Sequence, residues 1–499
     1  MKKLIACICA SSVLVGCQTT GIKMPDIASG LPGFDADRSE TLDKPMVDKV
    51  SSDFKAESEL DFDKGLLQLR KNNFSYADIS ALEAYANEVL EKLVVAWPGE
   101  KPKVKAIIVA DRDYMAQTLT KEYIIAISIG TFKEKLQKSE DQFAALLAHE
   151  LSHILAGHNV KNDIGGLIAK ATTVGELYLG SQQQAGADVL GDYAKTQVAG
   201  WAAQSLLLPA WNRGQENEAD ALGIDLLVSA GYDPSSMTDV LVALEKTAGE
   251  KQAYLEKQWL SSKKSTSGSK DVTKISIDTG ALFENIGGKL KDQYGQEYDS
   301  YQDRKLKVNN YIDTFYIDAI DRERTITKYK NTIASSKVRV PLLRYFSVMD
   351  AEVALSNIDP GQEEYVNLEY VNQAYTKALK GLKDRQADDP YIRYVMYKIR
   401  VLQGESKKAN INLRKAFESD RSTLSVYTDY ANSLIREGDY KNANIVLTAA
   451  DKTFEEPDAI LPALIKTNKA LSKNTTALNL RCMATLDKPL MQECSEASK

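Results

Sequence analysis

Three histidines and one glutamate within ten residues are best placed in this chain to do metal chemistry. His149-Glu150-Leu151-Ser152-His153 has the spacing H-E-x-x-H, and His158 follows it; the 499-residue chain has no other histidine. On a helix, residues four apart lie on one face, so the imidazoles of His149 and His153 can bind one zinc ion. Glu150 would then lie beside a water molecule as a general base. The pattern predicts metal-assisted hydrolysis.

A catalytic zinc site needs a third protein ligand and one open position. His158 lies nine positions after His149, whereas a metzincin places its third histidine ten positions on and a glycine seven positions on. Here those positions hold Asn159 and Ala156. We therefore exclude the metzincin arrangement and interpret His158 as a residue at the end of the helix.

A later acidic stretch offers the missing ligand. Gln215-Glu216-Asn217-Glu218-Ala219-Asp220 carries three carboxylates. Glu216 and Asp220 are four positions apart, so one helix face can present a ligand together with a carboxylate that orients a ligand histidine. Glu218 is the alternative ligand.

The surrounding residues predict the elements that position these motifs. An apolar helix is expected from about residue 140 to 157, with acidic residues near its start and Gly157 at its end. Another helix, from about residue 215 to 230, should stop at Gly231-Tyr232-Asp233-Pro234. The two motifs are thus expected on two helices.

Two short runs rich in β-branched residues come before the first of these helices, at Val104 to Val109 and Tyr123 to Ile129. Alternation places Tyr123, Ile125 and Ile127 on one face of the second run. We expect this run to form the strand along which the backbone of a substrate adds as an extra strand.

The last third of the chain contains an internal repeat. Gly404, Ala409, Leu413 and Ala416 recur 34 positions later as Gly438, Ala443, Leu447 and Ala450. Thirty-four residues is the tetratricopeptide period, with one helix pair per repeat. An earlier partial match ahead of Pro390 predicts two to three repeats. Other helical hairpins would stack with nearly the same structural consequence.

The N-terminus differs in composition from the rest of the chain. Lys2 and Lys3 precede an apolar run from Leu4 to Val15, which is too short to span a bilayer and predicts a signal peptide. Leu14-Val15-Gly16-Cys17 is similar to the bacterial lipobox, in which the cysteine is lipidated, and the following Gln18 is typical of outer-membrane lipoproteins. The alternative is an ordinary signal peptide with an incidental cysteine.

Five cysteines reduce to three if the signal peptide is removed, because Cys7 and Cys9 lie inside it. Besides Cys17, these are Cys482 and Cys494 near the C-terminus. An oxidising periplasm favours a disulfide between the last two, worth about 3 kcal/mol on a chain-entropy model. Two free thiols are the alternative.

Composition excludes other classes of protein. Hydrophobic residues make up 43% and charged residues 26% of the chain, close to the average of soluble globular proteins. The formal net charge of -6 lacks the basic excess that phosphate binding requires. We expect no nucleic-acid partner, and contact with a membrane only through the lipid anchor.

The motifs together resemble a known family. H-E-x-x-H, a long helical insert, and E-x-E-A-D-x-x-G ending in Ala230-Gly231-Tyr232-Asp233-Pro234 are similar to the family of the CAAX prenyl endopeptidase, the heat-shock protease HtpX and mitochondrial Oma-type peptidases. Its soluble periplasmic branch, the BepA-type chaperone-proteases, also carries tetratricopeptide repeats. The family's His-Pro followed by an arginine has no full match here, and Arg304 is its nearest remnant.

The resemblance implies a role for each motif residue. His149, His153 and Glu216 would be the ligands of one zinc ion per chain. Glu150 would be the catalytic base, and Asp220 would orient a ligand histidine. Glu218 would then be a solvated neighbour.

These observations predict an α+β, predominantly helical protein. We expect a lipoprotein signal peptide at 1–16, a lipidated N-terminus with a flexible spacer at 17–61, a gluzincin-type metallopeptidase domain at 62–323 with a flexible loop at 263–270, a helical connector at 324–364, tetratricopeptide-like repeats at 365–475 and a tail at 476–499.

The expected function is that of a zinc endopeptidase of the periplasm, anchored to the outer membrane, which cleaves misfolded or misassembled envelope proteins. Its partners would be protein or peptide substrates and, through the repeats, the outer-membrane assembly machinery. The alternative is a periplasmic lipoprotein adaptor or chaperone that acts through the repeats and has a latent peptidase domain.

Overall fold

The computed structural model describes residues 43–57, 60–158, 213–250, 301–320, 322–356, 368–381, 388–485 and 487–499. The predicted signal peptide, Cys17 and the loop at 263–270 lie outside the described residues, as does the segment that directly follows His158. The described residues belong to one compact unit. Among their helices, none combines the length and apolar character needed to cross a bilayer.

The described part is mostly helical and contains one small sheet. Its bounded helices are Met46–Val50, Phe62–Lys71, Ser80–Ala96, Glu140–Leu155, Arg213–Ser229, Ile326–Ala334, Ser336–Ser356, Leu368–Gly381, Pro390–Leu402, Ser406–Phe417, Leu424–Arg436, Tyr440–Thr453, Leu461–Ala470, Thr476–Ala484 and Lys488–Ala497. Residues 236–250 and 301–315 are also helical. Short 3₁₀ turns lie at Ile129–Phe132, Ile317–Ala319 and Asp458–Ile460.

The sheet has three strands, β1 (Lys105–Val109), β2 (Ala116–Leu119) and β3 (Ile124–Ser128), in the order β1-β3-β2. β1 runs parallel to β3, and β2 runs antiparallel to it. All five residues of β3 are buried. β3 is therefore the central strand of the sheet.

This order corrects the prediction that substrate adds along Tyr123, Ile125 and Ile127. The backbone groups of β3 bond to β1 on one side and to β2 on the other, so no edge of this strand is available to another chain. Tyr123 precedes the strand with a positive φ of 52°. Among the described strands, β2 pairs only with β3, so the edge of β2 that faces away from β3 has no strand neighbour there.

The structure also corrects part of the predicted flexible spacer at 17–61. Met46, Val50 and Phe54 are buried in the main hydrophobic core. Asp225 fastens this segment: its carboxylate accepts hydrogen bonds from Val47 N at 2.6 Å and from the hydroxyls of Tyr311 and Tyr316 at 2.8 Å each. Residues 46–54 are therefore part of the folded unit.

The C-terminal helices follow the 34-residue period of the sequence. One pair begins at Pro390 and Ser406 and the next at Leu424 and Tyr440, so each start recurs 34 positions later. Gly404 and Gly438 lie between the helices of each pair with φ of 70° and 78°, a left-handed conformation that favours glycine. The recurring alanines and leucines of the repeat are buried at the helix contacts.

The helix pairs pack directly against the N-terminal half. Arg70, at the end of the helix Phe62–Lys71, donates to the main-chain oxygen of Ser422 at 2.9 Å, and its guanidinium lies 5.4 Å from the Phe454 ring centroid. One continuous core cluster includes residues from Met46 to Ile399. The core therefore does not divide at the boundary that the sequence predicts between 364 and 365.

A disulfide lies in the C-terminal tail. Cys482 and Cys494 are bonded, and they join the last two helices, Thr476–Ala484 and Lys488–Ala497. Both cysteines are buried against Leu461 and Ile465. The tail is thus helical and attached to the helix before it.

Candidate metal centre

The H-E-x-x-H motif lies on a helix that is buried along its whole length. All 16 residues of Glu140–Leu155 are buried. Ser139 caps the helix, because its hydroxyl accepts a hydrogen bond from Gln142 N at 3.1 Å. Gly157 ends it with φ of 67°, and the chain turns back so that His158 N donates to His153 O at 3.0 Å.

The second motif lies on the helix Arg213–Ser229, which packs closely against the first. Gly223 permits this approach: a Cβ there would lie 3.2 Å from His149 N and 2.7 Å from Met237 Cε. A side chain at this position would displace the end of Met237 and crowd the backbone of His149, so Gly223 favours the close approach of the two helices that carry Glu216 and the histidines.

His149, His153 and Glu216 form a group able to hold one metal ion. The two Nε2 atoms are 3.2 Å apart, and they lie 3.5 Å and 3.6 Å from the Glu216 carboxylate oxygens. Bonds of about 2.0–2.1 Å in a tetrahedron place ligand atoms about 3.3–3.4 Å apart. Two imidazoles and one carboxylate at this spacing fit zinc.

Arg304 and Asp220 surround the same three residues. Asp220 Oδ1 lies 2.9 Å from His149 Nδ1, which leaves Nε2 facing Glu216. The Arg304 guanidinium donates to both Asp220 oxygens, at 2.8 Å and 2.9 Å, and lies 2.8 Å from Glu216 Oε2. Arg304 is itself only 8% exposed. Arg304 therefore balances the charge of the buried Asp220 carboxylate and of the partly buried Glu216 carboxylate.

His158 and Glu218 also lie in the site. His158 Nδ1 is 2.9 Å from His153 Nδ1, and His158 Nε2 is 3.1 Å from Glu218 Oε2. Both residues are 3% exposed. This corrects the interpretation of Glu218 as a solvated neighbour, because its carboxylate points into the core and not to water.

Comparison with known proteins agrees with this geometry. Residues 80–271 match the model of Peptidase family M48. The chain carries a peptidase family M48 domain. It is also 23% identical over 241 residues, 48% of its length, to a Vibrio cholerae serotype O1 protein named "Putative beta-barrel assembly-enhancing protease". The alignment spans 45% of that relative, so the chain covers less than half of the relative's length.

The match lies inside the range 62–323 that the sequence predicts for a metallopeptidase domain, and it contains both motifs. Because members of Peptidase family M48 are metal-dependent peptidases, the matched region is a metallopeptidase domain. The resemblance seen in the sequence is confirmed at this level.

Glu150 of the M48 domain lies next to β2. Thr118 Oγ1 donates to Glu150 Oε2 at 2.6 Å and also lies 3.0 Å from the Glu150 main-chain oxygen. Burial raises the pKa of Glu150, while the His149 charge and the Thr118 hydrogen bond act in the opposite direction. A carboxylate with a raised pKa is a better proton acceptor and suits general base chemistry.

The pKa values of the three candidate metal ligands are shifted in different directions. Burial disfavours the protonated form of His149, but hydrogen bonds to Asp220 and Glu216 raise its pKa to about 10. Burial and the neighbouring His149 lower the pKa of His153. Burial would raise the pKa of Glu216, yet Arg304 and His149 hold it well below its usual range. Binding of a metal by the two histidines therefore requires release of the His149 proton.

The structure brings together all five residues proposed for catalysis and metal binding. Asp220, Glu150 and the three candidate ligands lie in one cluster, in which only Glu216 is partly exposed. Sequence reasoning missed Thr118, which lies on a short strand with no motif. It also gave no role to the pair of His158 and Glu218. One signal could have indicated this pair: His158 lies close to an apolar helix, and a buried histidine needs a polar partner.

Proposed function

We propose that the chain is a zinc-dependent endopeptidase. The observation that carries the proposal is the triangle of His149 Nε2, His153 Nε2 and a Glu216 carboxylate, with Glu150 one residue along the same helix as His149. Zinc held there supplies Lewis acidity, which makes a water molecule more acidic and polarises a carbonyl group.

The residues of the chain divide the remaining tasks. The Glu150 carboxylate accepts the proton of the attacking water and can return it to the leaving amine. Thr118 holds the carboxylate through Oε2, which leaves Oε1 to accept that proton. Asp220 holds His149 in the tautomer whose Nε2 faces the metal site, and Arg304 fixes the Asp220 carboxylate.

The substrate would bind along β2. Met115 O accepts a hydrogen bond from Ser128 N at 3.0 Å. Because antiparallel pairing alternates, Gln117 and Ala126 form the next bonded pair, and the main-chain groups of Ala116 and Thr118 point away from β3. An extended peptide that pairs there would pass beside Glu150, whose carboxylate Thr118 contacts.

The test compares cleavage with metal content. Wild type should bind one zinc per chain and degrade casein and a short unstructured peptide. Glu150→Gln should keep the zinc and lose cleavage, whereas His149→Ala and Glu216→Ala should lose both. Glu245→Gln, a change at a carboxylate that pairs with Lys305 outside the metal site, is the matched control. Cleavage that persists in Glu150→Gln would reject Glu150 as the base. A wild type that binds zinc but cleaves neither substrate would favour the adaptor or chaperone alternative.

We further propose that the protein works in the bacterial envelope. The support is the lipobox-like Leu14-Val15-Gly16-Cys17 together with the name of the Vibrio cholerae relative, which refers to beta-barrel assembly. Lipid on Cys17 would tether the chain to the periplasmic side of the outer membrane. Cys17→Ser should then move the protein from membrane fractions to the soluble periplasm, and unchanged membrane association would reject lipid anchoring.

The 34-residue helix pairs would be tetratricopeptide-like repeats that recruit misfolded envelope proteins or the outer-membrane assembly machinery. Ile411 and Ile445, 34 positions apart on the second helix of each pair, are 48% and 58% exposed. The double change to lysine should slow degradation of a large client while cleavage of a short peptide stays unchanged. If the variant degrades both substrates as fast as wild type does, these side chains recruit no client.

A further inference from the structure

The two candidate ligand histidines are held in different ways. His149 contacts a carboxylate directly, through Nδ1 and Asp220 Oδ1 at 2.9 Å. His153 contacts a second histidine instead, with Nδ1 2.9 Å from His158 Nδ1. Glu218 Oε2 then lies 3.1 Å from His158 Nε2. Each of the two histidines is thus linked by hydrogen bonds to a carboxylate. For His149 the link is direct, whereas for His153 it passes through the imidazole of His158.

The positions of the ring nitrogens fix the direction of these hydrogen bonds. His153 Nε2 faces the metal site, 3.2 Å from His149 Nε2 and 3.6 Å from Glu216 Oε1. If Nε2 is the ligand atom, the proton of neutral His153 is on Nδ1 and is donated to His158 Nδ1. His158 must then carry its own proton on Nε2, where the Glu218 carboxylate accepts it. In this arrangement His153 Nδ1 and His158 Nε2 donate, while His158 Nδ1 and Glu218 Oε2 accept.

The cost of burying these groups argues against a space-filling role. His158 and Glu218 are each 3% exposed, and burying a carboxylate is expensive unless it is paired. The turn at Gly157 directs His158 back under the helix end, with its ring centroid 5.1 Å from that of His153. An apolar residue would fill the same space without that cost.

We propose that His158 and Glu218 are positioning residues for His153, which set its tautomer and orientation and strengthen its Nε2 as a zinc ligand. The inference rests on the proposed zinc site and deepens it. Partners that hydrogen-bond to ligand histidines typically change metal affinity by about 10–100-fold when they are removed. The same magnitude is expected here, although neither residue touches the metal.

The experiment measures the zinc dissociation constant of the full chain by competition with a chelator. His158→Phe keeps a ring but removes both hydrogen bonds, and it should weaken zinc binding by about 10–100-fold. His158→Gln can accept from His153 and donate to Glu218, and it should recover most of the affinity. Glu245→Gln is again the matched control and should bind zinc as wild type does.

A second readout separates positioning from general damage. In protein loaded with Co²⁺, His158→Phe should shift the visible absorption bands relative to wild type, and His158→Gln should restore them. Unfolding without metal measures separately the stability that is lost when Glu218 has no imidazole partner. A spectrum and affinity equal to wild type in His158→Phe would overturn the proposal. If that variant does not fold, Glu218→Gln replaces it: weaker zinc binding supports the proposal and unchanged binding overturns it.

The controls distinguish this inference from the proposed function. Should wild type bind no zinc, or His149→Ala keep it, the zinc site itself is wrong. If wild type binds zinc and His149→Ala does not, while both His158→Phe and Glu218→Gln bind as wild type, only the positioning role is wrong.

Discussion

Arg304 should contribute strongly to folding in the absence of metal and less when zinc is bound. Its guanidinium makes three contacts of 2.8–2.9 Å with Asp220 and Glu216. Hydrogen bonds to charged groups are worth about 1.5–3 kcal/mol each before the cost of burying the arginine. Removing one partner of a buried ion pair costs about 3–5 kcal/mol. We expect Arg304→Met to lower the free energy of unfolding by about this amount in EDTA.

Zinc should reduce that loss, because the ion supplies positive charge to Glu216 when the guanidinium is gone. A reduction of about 1.4 kcal/mol corresponds to tenfold tighter zinc binding by the variant. The assay is urea unfolding in EDTA and in saturating zinc, followed by tryptophan fluorescence, since Trp97 is fully buried.

Two further variants serve as controls for this prediction. Arg304→Lys keeps the charge but cannot contact both carboxylates in the same way, so it should lose less stability than Arg304→Met. Lys305→Met breaks the neighbouring pair with Glu245 and should leave zinc affinity unchanged. A loss below about 1 kcal/mol in EDTA, or an equal loss with and without zinc, would refute the reasoning.

Three further outcomes are expected. Thr118→Val removes the hydrogen bond to Glu150, so kcat on a short peptide should fall about 10–100-fold with zinc content unchanged; an unaltered kcat would contradict this. Burial raises the pKa of the Asp225 carboxyl to about 7, whereas in the unfolded chain it is about 3.9. Between these values the folded protein binds a proton that the unfolded chain does not, so the free energy of unfolding falls as the pH rises towards and through 7. Wild type should therefore gain about 2–3 kcal/mol relative to Asp225→Asn between pH 8 and pH 5, measured by urea unfolding; parallel pH curves would rule out the shift. Cys494→Ser should destabilise the last two helices by about 2–3 kcal/mol, seen as faster proteolysis at the C-terminus, without changing peptide cleavage.

Features that depend on local spacing could be predicted from the sequence. His149, Glu150 and His153 share one helix, and the helical period alone places the two imidazoles on one side. The sequence predicts that this helix ends at Gly157. In the structure the helix ends at Leu155, and Gly157 follows two residues later in a left-handed conformation. The 34-residue repeat likewise appears as two helix pairs with equivalent starts.

The order of strands depended on contacts between distant segments. The alternating pattern of Tyr123, Ile125 and Ile127 predicts a strand to which a substrate backbone can add. The run Ile124–Ser128 is in fact buried on both faces, and a nearly continuous apolar run is typical of a central strand. That signal was present in the sequence, but only the pairing with β1 and β2 decides it.

The partners of the metal ligands were also decided by tertiary structure alone. Arg304 reaches Asp220 across 84 positions, and Glu218 reaches His158 across 60. No local rule specifies such pairs, because a buried charge can be satisfied by any segment that the fold brings within about 3 Å. The sequence by itself determined which residues could bind a metal and perform hydrolysis. Only the packing of the two site helices, at the separation that Gly223 permits, decided which side chains hold those residues in place.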